Sequence, residues 1–250
     1  MVQDTQAALT PPAGYAGLAL LDRQRHRERG IVAHAGRFAA GLHAVYLSLP
    51  EFVAASRSLP IVFSQVDASH WQPLVLTGLE PGRNLCVDAA GDWLAGSYCP
   101  AYVRRYPFCT ARVRDRGEEK SVVCVDEAGL ASTPPYLFDA RGEETARCRE
   151  LLRLVEEFDG ATRQTEAFCA ELAALALLEP FEADVNPVGA SRKRVTGMWR
   201  VAEGKLAGLP GAELSRLMRL GYLSRIHAHL MSLDLFHRLL ELDVARARAS

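Results

Sequence analysis

The sequence predicts an α+β protein, with a β-rich N-terminal half and a helical C-terminal part packed on it, on three observations. Short apolar segments punctuated by proline and glycine fill residues 42 to 129, the pattern of strands and turns. From Glu143 the apolar residues fall at helical spacing instead. The N-terminal half also matches itself. PEFVAASRSLPIVF (50–63) and PAYVRRYPF (100–108) share a proline, an aromatic, a valine and an arginine three residues before a second proline, and CVDAAG (86–91) answers CVDEAG (124–129). A degenerate internal repeat with units 48–91 and 98–129 is expected. It sits within one domain spanning 1–250, because no low-complexity linker divides the chain.

Each element has a local cause. LHAVYLSL (42–49) reads as a strand. Pro50 and Pro100 suit the first position of a short helix, where the missing N–H costs nothing. Pro60 and Pro107 end those helices, and Leu59 and Tyr106, each before a proline, turn extended and lead into IVFSQV and FCTARV as strands. PLVLTGL (73–79) adds a strand before the Pro81-Gly82 turn. Asp88, Asp126 and Asp139 each precede a glycine at type I turn spacing, which points to turn formation rather than catalysis. Cys148, Leu151, Leu152, Val155 and Phe158 share one helical face with Gly160 as a stop, and a second helix carries Phe168, Leu172, Leu175 and Ala176 before Pro180. FEADVNPVGASRKRVTGMWRV (181–201) reads as a hairpin whose loop holds Arg192, Lys193 and Arg194 as a solvated basic trio. Leu214, Leu217 and Met218 suit a short helix ended by Gly221. A longer one follows, with Leu223, Ile226, Leu230, Leu233, His237 and Leu240 on its apolar stripe.

Composition narrows the function classes. A formal charge of -1 over 250 residues gives no electrostatic reason to expect a nucleic-acid partner. No apolar run approaches the ~20 residues that span a bilayer, so integral membrane insertion is not expected. The early apolar stretch GYAGLALL follows an acidic segment and precedes arginines, the reverse of a secretory signal, and a cytoplasmic location is the expectation. Six cysteines lack any C-x-x-C pair or histidine at ligand spacing, so free thiols are expected and no metal site. Phosphate-loop, dinucleotide, nucleophile-elbow and H-E-x-x-H motifs are missing, and no cofactor is expected.

LLDRQRHRERG, PEFVAASRSLPIVF, GLEPGRNLCVDAAGDWL, YCPAYVRRYPF and GYLSRIHAHLMSL, in this order, resemble the bacterial SapC family over about residues 15 to 240. YCPAYVRRYPF is the most specific part. Cys86 stands where the family commonly has an aromatic residue. The resemblance implies a surface-layer context for one group of bacteria, and elsewhere the company of outer-membrane receptors and flavin-dependent halogenase-like proteins. It implies no catalytic activity, and it is not a likeness to the peptide-transport permease of the same name.

The proline-flanked arginines hold the chief candidate site. On a one-turn helix begun by Pro100, Tyr102 and Tyr106 share a face at i and i+4, and Arg104 and Arg105 sit at the negative end of the dipole. Two roles are open. The arginines either cap carbonyls or pair with Asp88 or Asp126, with Tyr106 stacked on a guanidinium, or they form an anion clamp walled by the tyrosines. Arg57, the match of Arg104, would add a pseudo-symmetric partner facing the same groove. His26 and His229 are weaker candidates as an acid or base, and His229 also suits a hydrogen-bonded core position beside the helix stripe.

The leading expectation is a noncatalytic binding or accessory protein. Arg57, Tyr102, Arg104, Arg105 and Tyr106 would recognise a small anionic ligand, or a peptide or protein partner. An enzyme using His26 or His229, and a surface-layer structural protein, are the alternatives. The sequence sets no oligomeric state.

Overall fold

The computed structural model describes residues 10–115, 118–185 and 193–249. The α+β expectation holds, with most strands in the N-terminal half and most helices toward the C-terminus. In chain order the strands are β1 (Leu18–Leu20), β2 (Gly30–Ile31), β3 (Ala44–Tyr46), β4 (Ile61–Gln65), β5 (Trp71–Leu76), β6 (Phe108–Asp115), β7 (Glu118–Asp126), β8 (Leu130–Ala131), β9 (Leu178–Val185) and β10 (Lys193–Val201). The helices are α1 (Phe52–Ala55), α2 (Ala101–Arg104), α3 (Ala146–Ala174), α4 (Glu203–Ala207), α5 (Gly211–Arg219), α6 (Tyr222–Ser232) and α7 (Phe236–Ala249).

Among the described residues three antiparallel sheets form: a five-stranded one in the order β3-β5-β4-β10-β9, a three-stranded one in the order β1-β7-β6, and the pair β2-β8. β4 lies inside the larger sheet because Ile61, Val62 and Phe63 are all buried, as expected of a β-branched and aromatic run covered on both faces. The helices α3 and α6 meet over Phe63, whose ring lies 6.3 Å from that of Phe168 and 4.9 Å from the imidazole of His229. α3 also runs along β5 and β6 and so links the two larger sheets.

α3 corrects one expectation. Gly160 ends nothing: α3 is a single helix of 29 residues through it. Thr145 caps its start by accepting from the Cys148 amide at 3.3 Å. Buried Cys148, Leu151, Val155, Phe158, Thr165, Phe168 and Leu172 then carry one apolar stripe along its whole length. An interior glycine costs a helix only about 1 kcal/mol, and that stripe outweighs it.

The helical tail differs in the other direction. The expected long helix breaks at a 3-10 turn, Leu233–Leu235, into α6 and α7. β9 and β10 form the expected hairpin, with Arg194 in β10 beside Glu182 and Asp184 rather than in a solvated loop. Arg192 lies outside the described residues.

The internal repeat is not established. In each unit a one-turn helix precedes an antiparallel strand pair, α1 before β4-β5 and α2 before β6-β7. The pairs belong to different sheets, however, and the second match fails. CVDEAG closes β7, whereas CVDAAG is a loop whose Val87 makes only an isolated bridge to Trp93. The aspartates do form turns: Asp88 accepts from the amides of Gly91 and Asp92, and Asp139 from those of Arg141 and Glu143. Asp126 instead caps the 3-10 turn Glu127–Gly129 by accepting from the Ala128 amide and accepts from the amides of Ala16 and Gly17, so the like letters of the two segments serve different contacts.

Candidate functional site

The two proline turns are tied together by a residue the sequence reading passed over. Glu51 is buried, and its Oε2 accepts from the amide and hydroxyl of Ser48 in a capping box that starts the first turn. Its Oε1 accepts from the Tyr98 hydroxyl at 2.9 Å and from the Ala101 amide at 2.6 Å, which fixes the start of α2. Nη2 of Arg104 lies 3.8 Å from the same oxygen, and its Nε donates to the Cys99 carbonyl at 3.1 Å. Arg104 is thus a half-exposed strut, not a partner of Asp88 or Asp126. S/T-x-x-E before an apolar run was the available signal for Glu51.

Arg105, one residue on, points the other way and is only 6% exposed. Its guanidinium carbon sits 4.1 Å from the centre of the Phe158 ring and 5.1 Å from that of Tyr102. Such contacts with a desolvated cation contribute about 1 to 2 kcal/mol each. Among the described residues no carboxylate pairs with Arg105, and its buried Nε has no hydrogen-bond partner. An ion buried without a counter-charge costs several kcal/mol, and an orphaned N–H about 1 to 3 kcal/mol. The two ring contacts do not cover both.

An aromatic cluster surrounds this arginine. Tyr15 is edge-on to Phe38, Tyr102 and Tyr106, with its hydroxyl on the Phe108 carbonyl at 3.0 Å. Tyr102 and Tyr106 thus both contact Tyr15, although Tyr106 lies beyond the end of α2. Tyr106 stacks on Phe38 at 3.9 Å and 6°, not on a guanidinium, and its hydroxyl lies 3.4 Å from a carboxylate oxygen of Asp126. The Tyr102 hydroxyl donates to the Ala13 carbonyl at 2.7 Å. Burial pushes the Tyr102 hydroxyl up to about 12 although Arg105 pulls it down, and burial aided by Asp126 pushes Tyr106 up to about 12. Both phenols remain protonated donors at neutral pH. The Cys109 thiol beside Arg105 is pushed up to about 11, mainly by burial, and is inert as a nucleophile.

Two of these rings also line a cavity. Tyr102 and Phe158 form one wall of a space of about 440 Å³. Leu42, Val45 and Leu74 add apolar surface, and Tyr46, Gln72 and Thr162 the polar groups. Arg104 lines a separate groove along the first turns of α3, with Arg147 and Arg153 already beside Glu150 and Glu157. Arg57 is exposed, and among the described residues no hydrogen bond, ion pair or ring contact joins its side chain to the other four. The chain thus brings Tyr102, Arg105 and Tyr106 together, adds Phe158 and Tyr15, and leaves Arg57 and Arg104 outside.

The histidines are both enclosed. His229 is 0% exposed; its Nδ1 donates to the Ile61 carbonyl at 2.8 Å and its Nε2 accepts from the Val201 amide at 3.1 Å. It bridges β4 and β10 where their ladder diverges, and burial lowers its pKa to about 4. A ring held neutral at both nitrogens by the backbone has no face for a substrate. His26 is 1% exposed; its Nδ1 accepts from the Asp22 amide at 3.0 Å, and its Nε2 faces the Glu127 carboxylate at 3.5 Å. That carboxylate is also held by Arg25 at 2.7 Å. No group of three or more potential metal ligands occurs among the described residues. All six cysteines are free thiols. No described helix is long and apolar enough to cross a membrane.

Fold and site together define an α+β protein built around a largely buried arginine–aromatic centre. The chain belongs to the SapC family, whose model matches residues 21–239. No curated protein and no solved structure matches the chain.

Proposed function

We propose that this protein is a noncatalytic binding protein, and that Arg105 is the anchor for an anionic ligand whose apolar body occupies the cavity walled by Tyr102 and Phe158. One observation supports this reading: an arginine with a buried, unpartnered Nε and no carboxylate beside it, set against two rings, Tyr102 and Phe158, that also line a mostly apolar cavity which Arg105 itself does not line. The missing charge is the one a ligand would bring. A carboxylate matches the planar fork of donors that arginine offers. The cavity volume accommodates a ring or a short aliphatic chain beside it. A free aromatic or aliphatic acid and the C-terminus of a peptide share that chemistry. Tyr15 holds Tyr102 edge-on and itself rests against Tyr106; Arg104 takes no part in the clamp.

Titration calorimetry with phenylacetate, octanoate and a dipeptide ending in phenylalanine tests this, with phenylacetamide and octanamide as neutral controls. Binding of at least one acid and of neither amide, lost in Arg105→Met, is the expected result. The free acids and the dipeptide distinguish a metabolite from a peptide terminus. Equal binding of acid and amide, or acid binding unchanged in Arg105→Met, would remove the anchor.

A further inference from the structure

A second surface, on the helical tail, carries an interaction of a different kind. Of the six large apolar side chains left exposed among the described residues, Met218 (71%), Leu220 (50%) and Met231 (74%) lie on or next to α5 and α6. Between α4, α5 and α6 these helices leave a groove of about 610 Å³. Leu206, Leu214, Leu223 and Leu230 form its floor and Met231 its rim. Leu223, His227, Leu230, Met231 and Asp234 recur at the i, i+4, i+7 spacing of one helical face. That face is about three turns, or ~16 Å, long.

The charge around the groove selects its occupant. The formally charged side chains that line it, Glu203 and Asp234, are both acidic. Three basic side chains of α4, α5 and α6 are turned to other partners: Lys205 to the Ala176 carbonyl, Arg216 to Glu171 and Glu213, Arg225 to Gly221 and Ser224.

We infer that this groove binds an amphipathic helix of a partner protein, about three turns long, with leucine-like residues on its inward stripe and lysine or arginine flanking it. Methionine on the rim suits the task, because its unbranched, polarizable side chain conforms to varied apolar shapes. The surface shares no residue with the cavity walled by Tyr102 and Phe158 and requires no ligand there.

Fluorescence anisotropy with two labelled model peptides of about 15 residues tests the inference on the full chain. The peptides share one leucine stripe and differ only in flanking lysines or glutamates. The lysine peptide is expected to bind about tenfold or more tighter, equivalent to ~1.4 kcal/mol, with the preference reversed by Glu203→Lys combined with Asp234→Lys. Met231→Asp, at a position exposed enough to leave the fold intact, is expected to abolish binding; Leu230→Asp should do the same. Equal binding of both peptides, or binding unaltered in Met231→Asp, would overturn the inference. So would a dimer in light scattering that Met231→Asp dissociates, since the groove would then belong to a second copy of the chain.

Discussion

Arg105→Met should make the ligand-free protein more stable while removing its binding. The methionine keeps the unbranched stem over the Phe158 and Tyr102 rings, at present 4.1 and 5.1 Å from the guanidinium carbon, and discards the charge. The loss is the two cation–ring contacts, together about 2 to 4 kcal/mol. The gain is relief of a buried, unpaired ion, several kcal/mol, and of the orphaned Nε, about 1 to 3 kcal/mol. A net stabilisation of about 1 to 3 kcal/mol follows, which raises the Tm of a chain of this size by roughly 2 to 4 °C per kcal/mol. Calorimetric and urea unfolding of ligand-free wild type and Arg105→Met measure it. A ligand at 100 times its Kd would then stabilise wild type by about 2.7 kcal/mol and leave the variant unmoved. If Arg105→Met unfolds more easily than ligand-free wild type by 1 kcal/mol or more, the arginine is a structural member and the reasoning fails.

Further outcomes follow from other sites. His229 has a folded pKa of about 4, below its unfolded value; the unfolded chain therefore binds the extra proton first. Its contribution is complete above pH ~6.5, is lost as pH falls toward about 4, and amounts to a few kcal/mol; chemical unfolding at stepped pH should show this, and His229→Gln should flatten the slope. Glu51→Gln replaces an acceptor that serves Ser48, Tyr98 and Ala101 with a group that must itself donate; a destabilisation of about 2 kcal/mol is expected by urea titration. Gly160→Ala should stabilise by up to about 1 kcal/mol, since the added methyl meets only Nη2 of Arg163 at 4.0 Å; a loss of stability would mean that α3 bends there.

Local chemistry made much of the fold legible. The proline-bounded turns and the strands after them followed from backbone restrictions at Pro50, Pro60, Pro100 and Pro107, and the D-x-x-G turns from side chain to amide bonds at Asp88 and Asp139. Gly160 misled because propensity is a weak force beside a continuous buried stripe. β1 and β2 were missed because their two or three residues exist only by pairing with β7 and β8, far along the chain. The same limit shaped the site. YVRRYPF identified Tyr102, Arg105 and Tyr106, yet nothing local distinguishes Arg105, which turns inward, from Arg104, which turns to Glu51. That choice depends on Phe158, supplied by α3. Arg57 was linked to Arg104 by matching letters, and side-chain direction does not follow from such a match.

Native mass spectrometry of the wild-type protein and Arg105→Met, each purified from the protein's own host, tests the buried anchor most directly. Wild type should carry an acidic adduct that is released on denaturation and absent from Arg105→Met. A bare wild-type chain, or an adduct retained equally by the variant, would contradict it.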